Sequence, residues 1–189
     1  MNYIVKPALT LFITAVLTVT ALSLVYNLTL EPIEKQKRKI QEAAMKEVLP
    51  GAAEYREKPL PENTEAGNSI VAVYEGILGN NALAGYVVQL SPEGYSGKIE
   101  LLVGISAEAK KITGMRVLRH TETPGLGALS VKEEFYRRYD NKALVPLKVT
   151  RTVPADDEIQ AITSATITTR AITKAVNEAI EWYNGTGEK

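Results

Sequence analysis

The sequence contains no cysteine and a single histidine, His120. Without cysteine, this chain cannot form structural disulfides, hold a thiolate-ligated iron–sulfur cluster or use a cysteine nucleophile. One histidine rules out a metal site built from several histidines of the chain. A redox function would therefore require a bound organic cofactor.

Net charge is absent as well, because 22 basic and 22 acidic residues cancel over the 189 positions. This balance gives no bulk attraction to nucleic acid, so no nucleic-acid partner is expected. The Gly-x-Gly-x-x-Gly fingerprint of dinucleotide-binding folds is also missing. A dinucleotide or an iron–sulfur centre would have to be held by another protein chain.

One long hydrophobic run lies near the N-terminus, where the 23 residues 8–30 carry no charge. As a helix this run is about 35 Å long, enough to span a bilayer core. It is longer than a usual signal-peptide core, and no small-x-small cleavage site precedes its continuation. We therefore interpret residues 1–30 as a single retained transmembrane anchor. Its threonines at positions 10, 14 and 18 indicate either helix packing or simple tolerance, with equal weight.

Residues 31–68 are interpreted as a connection to the folded domain. The apolar periodicity of residues 31–49 predicts an amphipathic helix that Pro50-Gly51 ends. The polar, proline-bearing stretch 52–68 predicts a linker, so the folded domain is expected to occupy residues 69–189.

The folded domain is predicted to be of the α+β class, an antiparallel sheet with packed helices. Four β-rich runs with short connections predict the sheet, and they cover residues 70–77, 82–90, 98–105 and 111–119. A helix over residues 129–139, a strand over 147–153 and a last helix that begins near Thr166 complete the prediction.

The last helix begins with a hydroxyl-rich turn, Thr163-Ser164-Ala165-Thr166. Either Thr163 or Ser164 is predicted to be its N-cap. The free N–H groups and the positive dipole end of such a helix suit a phosphate group. Taken alone, a Ser/Thr cluster of this kind is more typical of a plain helix cap.

Two further segments precede this turn, Glu122-Thr123-Pro124-Gly125-Leu126-Gly127 and Gly94-Tyr95-Ser96-Gly97, the latter followed by an apolar strand. Together the three ordered motifs, within residues 70–183, resemble the FMN-binding domain family. That family includes the G subunit of the Rnf electron-transport complex and the C subunit of the Na+-translocating NADH:quinone reductase.

The resemblance implies a flavin site with a covalent bond. In the family a [Ser/Thr]-Gly-Ala-Thr motif carries FMN through a phosphoester on its last threonine, here Thr166, which is a phosphothreonyl linkage. The other expected flavin-contacting residues belong to the motif and the two loops: Thr163, Ser164, Ala165, Tyr95, Ser96, Glu122, Thr123, Gly125, Leu126 and Gly127. For Tyr95, Glu122 and Leu126 the alternatives are packing on the sheet, a solvated carboxylate and a core contact.

The resemblance also implies how Thr166 would be modified. A threonine hydroxyl without an adjacent base is a poor nucleophile, so Thr166 is a tether and the chain needs a separate flavin transferase. No catalytic residue and no metal site are expected in this chain. Two positions depart from the family pattern: Ser164 replaces a glycine, and Gln160 replaces an aspartate that commonly precedes the motif.

The implied function is electron transfer through FMN in a membrane-anchored subunit of an Rnf-type ion-translocating ferredoxin:NAD+ oxidoreductase, with the other Rnf subunits as partners. The alternatives are the C subunit of the quinone reductase and a membrane-anchored FMN-binding sensor or interaction module. The family places the flavin domain on the outer, periplasmic side of the cell membrane. The charges argue the reverse, because Lys35, Lys37, Arg38 and Lys39 follow the span whereas Lys6 precedes it.

Overall fold

The computed structural model describes residues 2–59 and 69–185. The first helix and the sheet are α1 (Asn2–Val48), β1 (Glu54–Lys58), β2 (Ile70–Ile77), β3 (Leu83–Leu90), β4 (Glu100–Ser106) and β5 (Lys111–Arg119). A 3₁₀ turn (Gly127–Val131), α2 (Glu133–Tyr136), a second 3₁₀ turn (Arg137–Tyr139), β6 (Lys148–Thr150), β7 (Glu158–Gln160) and α3 (Thr166–Gly185) follow. The chain divides into two compact units, the first ending at Gln41 and the second beginning at Glu42.

The first unit consists of helical residues of α1 whose apolar side chains are exposed. The helix is long and apolar enough to cross a membrane. The anchor and the amphipathic helix predicted after it form one continuous helix, with Pro7 and Pro32 inside it. The hydroxyls of Thr10 and Thr14 donate to the carbonyls of Lys6 and Thr10, each at 3.0 Å. Because they are satisfied inside the helix, these hydroxyls need no partner in a lipid environment.

The second unit is built on an antiparallel meander in the order β1-β2-β3-β4-β5. The predicted α+β fold with an antiparallel sheet is confirmed, and β2 and β5 have the predicted bounds. The β2–β3 turn is closed by a hydrogen bond from Asn81 N to Leu78 O at 2.9 Å, with Asn81 at a φ of 66°. Strand β1 lies within the stretch interpreted as a linker, where its charged sequence gave no strand pattern.

The two faces of the sheet are covered by different helices. Side chains alternate along a strand, so Val87 and Leu102 pack against the end of α1. Their neighbours on the opposite face form the main core with α3, whose members include Tyr86, Val88, Leu101, Val103, Ile172, Val176 and Ile180. Coverage of both faces explains why the central strands are apolar throughout.

The end of α1 lies very close to the sheet. The Val48 carbonyl accepts a hydrogen bond from Thr113 Oγ1, and a Cβ added to Gly104 would stand 2.0 Å from that carbonyl oxygen. Glycine at position 104 therefore permits the contact. The sheet-containing unit begins at Glu42 and includes β1, earlier than the expected start at residue 69.

Two elements after β5 differ from their predicted forms. The helix expected over residues 129–139 is divided into three short turns, because Lys132 has an extended backbone (φ −79°, ψ 147°). The strand expected over residues 147–153 is only three residues long, and it pairs in parallel with β7. Through this pairing, the end of β6 lies next to the end of β7, which leads into α3.

Candidate functional site

The turn before α3 is held by a threonine inside the helix. The helix begins at Thr166, so the prediction that Thr163 or Ser164 is the N-cap is wrong. Thr169 Oγ1 instead accepts from Ile162 N and donates to Ala165 O, both at 3.1 Å. Three backbone N–H groups of the first helical turn find no hydrogen-bond acceptor within residues 69–185. They belong to Thr166, Ile167 and Thr168.

Ser164 occupies the left-handed region of backbone conformation, with a φ of 63°. An L-residue in this region costs about 1–2 kcal/mol relative to its ordinary conformation. Glycine avoids that cost, which explains physically why the family pattern has glycine at this position. The departure at Ser164 therefore adds strain to the turn that presents Thr166.

Glu122 is a buried carboxylate, only 6% exposed, that joins two of the motifs to the first turn of α3. Its Oε1 accepts hydrogen bonds from the backbone N–H groups of Tyr95 at 2.7 Å and Ser96 at 3.0 Å. Its Oε2 accepts from Thr168 Oγ1 at 2.7 Å. The carboxylate therefore fixes the Gly94–Gly97 loop, its own loop and the first turn of α3 against one another.

Two glycines leave the space that this carboxylate occupies. A Cβ added to Gly94 would lie 2.4 Å from Glu122 Oε1, and one added to Gly127 would lie 2.2 Å from Oε2. Gly125 serves a different purpose, because it has a φ of 78° and open space around it. Gly127 thus allows close packing of Glu122, whereas Gly125 allows the turn.

A mostly apolar pocket of about 400 Å³ opens between these elements. Its walls are Tyr95, Glu122, Thr123, Leu126, Gly127, Arg151, Ser164, Ala165, Thr166, Ile167 and Thr168. Eight of the eleven residues expected at the site line this pocket. Ser96, Gly125 and Thr163 do not, although Ser96 touches Glu122 through its backbone. Tyr95 and Ile167 are 69% and 55% exposed, so their apolar surfaces are free for a ligand.

The threonines of α3 differ sharply in how their hydroxyls are used. Thr168, Thr169 and Thr173 are buried and hydrogen-bonded within the protein. Thr173 Oγ1 donates to Thr169 O at 2.9 Å, so Tyr139 Oη donates to Thr173 Oγ1 across 2.8 Å. Burial raises the pKa of Tyr139 and keeps this donor protonated. By contrast, Thr166 is half-buried and lines the pocket.

A second, more polar cavity of about 380 Å³ lies at the same turn. It is lined by Arg151, Ala161, Ile162, Thr163, Ser164 and Thr166, so it shares three residues with the apolar pocket. Sequence reasoning missed Arg151, Ile167 and Thr168 as pocket residues. Periodicity around the helix start could have indicated Ile167 and Thr168, whereas no local pattern marks Arg151.

His120, which lies two residues before Glu122, is used inside the fold. Its Nδ1 accepts a hydrogen bond from Glu122 N at 3.2 Å. Within residues 2–59 and 69–185, no group of three or more His, Asp or Glu side chains is placed to hold a metal ion. The site is therefore an apolar pocket bordered by a hydroxyl, free amides and one guanidinium.

Comparison with protein families gives two matches. Residues 94–181 match the model of the FMN-binding domain, and residues 1–48 match that of the RnfG N-terminal region. The first match contains all three motifs at the pocket, and the second contains α1 to its last residue.

Similar proteins cover nearly the whole chain. The G subunit of the ion-translocating oxidoreductase complex from Methanosarcina acetivorans is 33% identical over 181 residues, which are 96% of this chain and 95% of that protein. The G subunit of the Na(+)-translocating ferredoxin:NAD(+) oxidoreductase complex from Acetobacterium woodii is 35% identical, with 94% and 90% coverage. The crystal structure of Shewanella oneidensis NqrC matches with a TM-score of 0.50 at 18% identity, over 69% of this chain and 66% of that chain. This structural match shows a shared fold.

Proposed function

The chain belongs to the family formed by the G subunits of ion-translocating oxidoreductase complexes, and we propose that it is the electron-transferring flavoprotein of such a complex, with FMN bound covalently to Thr166. The assignment of the covalent bond to Thr166 rests on the accessibility of the Thr166 hydroxyl. Thr166 lines the apolar pocket, whereas the hydroxyls of Thr168, Thr169 and Thr173 are buried and already bonded.

The residues at the pocket fit FMN in both volume and chemistry. A cavity of about 400 Å³ lies within the range of small-molecule sites. The exposed apolar surfaces of Tyr95, Leu126 and Ile167 suit a flat aromatic ring. The free amides of the first turn of α3 suit a phosphodiester, which carries one negative charge.

Thr166 and Glu122 then have different roles in holding the flavin. Thr166 retains it, so a carrier on an exposed face cannot diffuse away between turnovers. Glu122 has both oxygens occupied by protein donors, so it positions Tyr95 and α3. When bound, FMN supplies the electron-transfer chemistry, while the protein positions the flavin and tunes its environment.

Attachment requires a second protein. In the described residues no side chain is hydrogen-bonded to Thr166 Oγ1 to act as its base. We propose a flavin transferase that uses FAD: the Thr166 oxygen–phosphorus bond forms, the diphosphate bond breaks, AMP leaves, and the transferase takes the hydroxyl proton.

The membrane placement follows from α1, which anchors the flavin domain to the cell membrane next to the other proteins of the complex. We propose that the flavin domain faces the outer side, against the charge bias around the span. A reporter active only outside the cytoplasm, fused after Lys189, should be active. A silent reporter beside an active cytoplasmic one would contradict this orientation.

Mass spectrometry of the full chain from its native membrane tests the covalent site. FMN should be found on the peptide that contains residues 163–170, with fragment ions placing it on Thr166. Thr166→Ala should abolish the modification and leave the fold intact, because it removes a half-exposed hydroxyl. Thr166→Ser should retain at least part of it.

Thr29→Ala is the control, because it removes the hydroxyl of an exposed threonine of α1 that lines neither cavity. This variant should be flavinylated like the wild type. Unmodified native protein, or FMN mapped to Thr163, Thr168 or Thr169, would contradict the site. Reduction of the bound flavin by the assembled complex separates an electron carrier from a sensor module, which would stay oxidised.

A further inference from the structure

Arg151 is a pocket residue that lies outside the three motifs. It lines both the apolar pocket and the polar cavity, together with Ser164 and Thr166. It is the one cationic residue among the described residues that line these two cavities. Within the described part of the chain its guanidinium makes no hydrogen bond or ion pair.

The fold holds the backbone of Arg151 beside the turn that presents Thr166. Strands β6 and β7 pair in parallel with Thr150 opposite Gln160, so the next residues, Arg151 and Ala161, both enter the site region. Ala161 N donates to Thr150 O at 2.8 Å. On the other side Thr152 N donates to Thr150 Oγ1 at 3.3 Å, which fixes the turn around Arg151.

The two cavities match the two chemical halves of FMN. The apolar pocket suits the ring, and the polar cavity, which also borders Thr166, suits the phosphate. Glu122 is the acidic residue of the pocket, but its two oxygens already accept hydrogen bonds from the protein. The charge of Arg151 is therefore left for a ligand.

We propose that Arg151 binds the phosphate group of FMN and directs it to the Thr166 hydroxyl, an inference that rests on the proposed function. The planar guanidinium offers paired N–H donors that match two phosphate oxygens, and its charge compensates the single negative charge of the phosphodiester. The free amides of the first turn of α3 provide further donors next to Thr166.

Binding of free flavins to the unmodified full chain in detergent, made in a host without the transferase, tests this role. FMN carries the phosphate and riboflavin does not. Arg151→Ala should weaken FMN binding about tenfold and leave riboflavin binding within about twofold, the size expected for a lost charged hydrogen bond. Arg151→Lys should recover part of the affinity, because it restores the charge but not the paired N–H donors of the guanidinium.

Arg170→Ala is the control, because Arg170 is an exposed cation of α3 that lines neither cavity. It should bind both flavins like the wild type. Equal loss of FMN and riboflavin binding in Arg151→Ala, or no loss of either, would overturn the proposal.

If the unmodified chain binds neither flavin, the phosphorus NMR spectrum of the flavinylated chain tests the role of Arg151 instead. Its phosphodiester resonance should shift in Arg151→Ala and keep the wild-type position in Arg170→Ala. A wild-type resonance in Arg151→Ala, with FMN still on Thr166, would overturn the role of Arg151 alone. An unmodified Thr166 in the wild-type chain would overturn the covalent site instead.

Discussion

The end of α1 and the start of α3 differ in how their terminal backbone groups are satisfied. At the end of α1, the Val48 carbonyl accepts from Thr113 Oγ1, and the following Leu49 carbonyl accepts from Tyr55 Oη at 3.1 Å. At the start of α3, the amides of Thr166 and its two successors find no hydrogen-bond acceptor in the described residues. The first helix end is completed by the domain itself, whereas the second leaves three donors open to solvent or to a ligand.

The two ends also differ in strain and in packing. The α1 end lies against Gly104 in a cluster of buried apolar side chains. The α3 start follows Ser164 in a left-handed conformation and faces a pocket. Backbone strain next to open space is typical of a binding site, while close packing without strain is typical of a structural contact. The comparison therefore distinguishes the packed end of α1 from the start of α3, which borders the pocket.

The largest expected effect concerns the packed end. Gly104→Ala places a Cβ 2.0 Å from the Val48 carbonyl oxygen, a backbone atom that cannot move without displacing the end of α1. We expect a loss of about 3 kcal/mol in the free energy of unfolding. Denaturant unfolding of the full chain in detergent measures it.

Gly79→Ala is the matched control, because no atom lies within 4 Å of the added Cβ. It should change the free energy of unfolding by less than about 0.5 kcal/mol. Equal stability of the two variants would show that the end of α1 is not held against β4, and the comparison between the helix ends would fail.

A smaller loss is expected at the hydrogen bond of the same end. Thr113→Val keeps the shape of the side chain but leaves the Val48 carbonyl without its donor, at a cost of about 2 kcal/mol. Thr113→Ser keeps the hydroxyl and should retain most of the stability. Flavin loading should be unchanged in both variants, since position 113 lines neither cavity. Loss of the modification in Thr113→Val at unchanged stability would contradict the separation of the two ends.

The comparison also shows which features a single sequence can predict. Strands β2 and β5 were predictable because β-branched and aliphatic residues dominate them. Strand β1 was not, because its residues Glu54–Lys58 are mostly charged and it is a strand only through pairing with β2. The end of α1 carried the expected amphipathic pattern, but the pattern does not say which surface it covers.

The candidate site also has features that the sequence predicts and features that only the fold reveals. Its motif residues are local in sequence, so the turn at Thr166 and the two loops could be recognised from the sequence alone. The linking role of Glu122 depends on burial and on two glycines that belong to different loops. Arg151 reaches the site through a parallel strand pair of three residues each, and no periodicity marks so short a pairing.

The smallest expected effect concerns the strained start of α3. Ser164→Gly removes the cost of the left-handed conformation, about 1–2 kcal/mol, and adds the backbone entropy of glycine, about 0.5–1 kcal/mol. We expect a net gain of about 0.5–1 kcal/mol in the free energy of unfolding, with FMN still attached at Thr166. Ser164→Val should lose stability, because a β-branched residue tolerates this conformation poorly. Unfolding measurements on the unmodified full chain in detergent compare the three side chains without the contribution of the flavin. If glycine destabilised the chain or valine did not, the strain at this turn would be absent, and the two helix ends would differ only in their packing and hydrogen bonds.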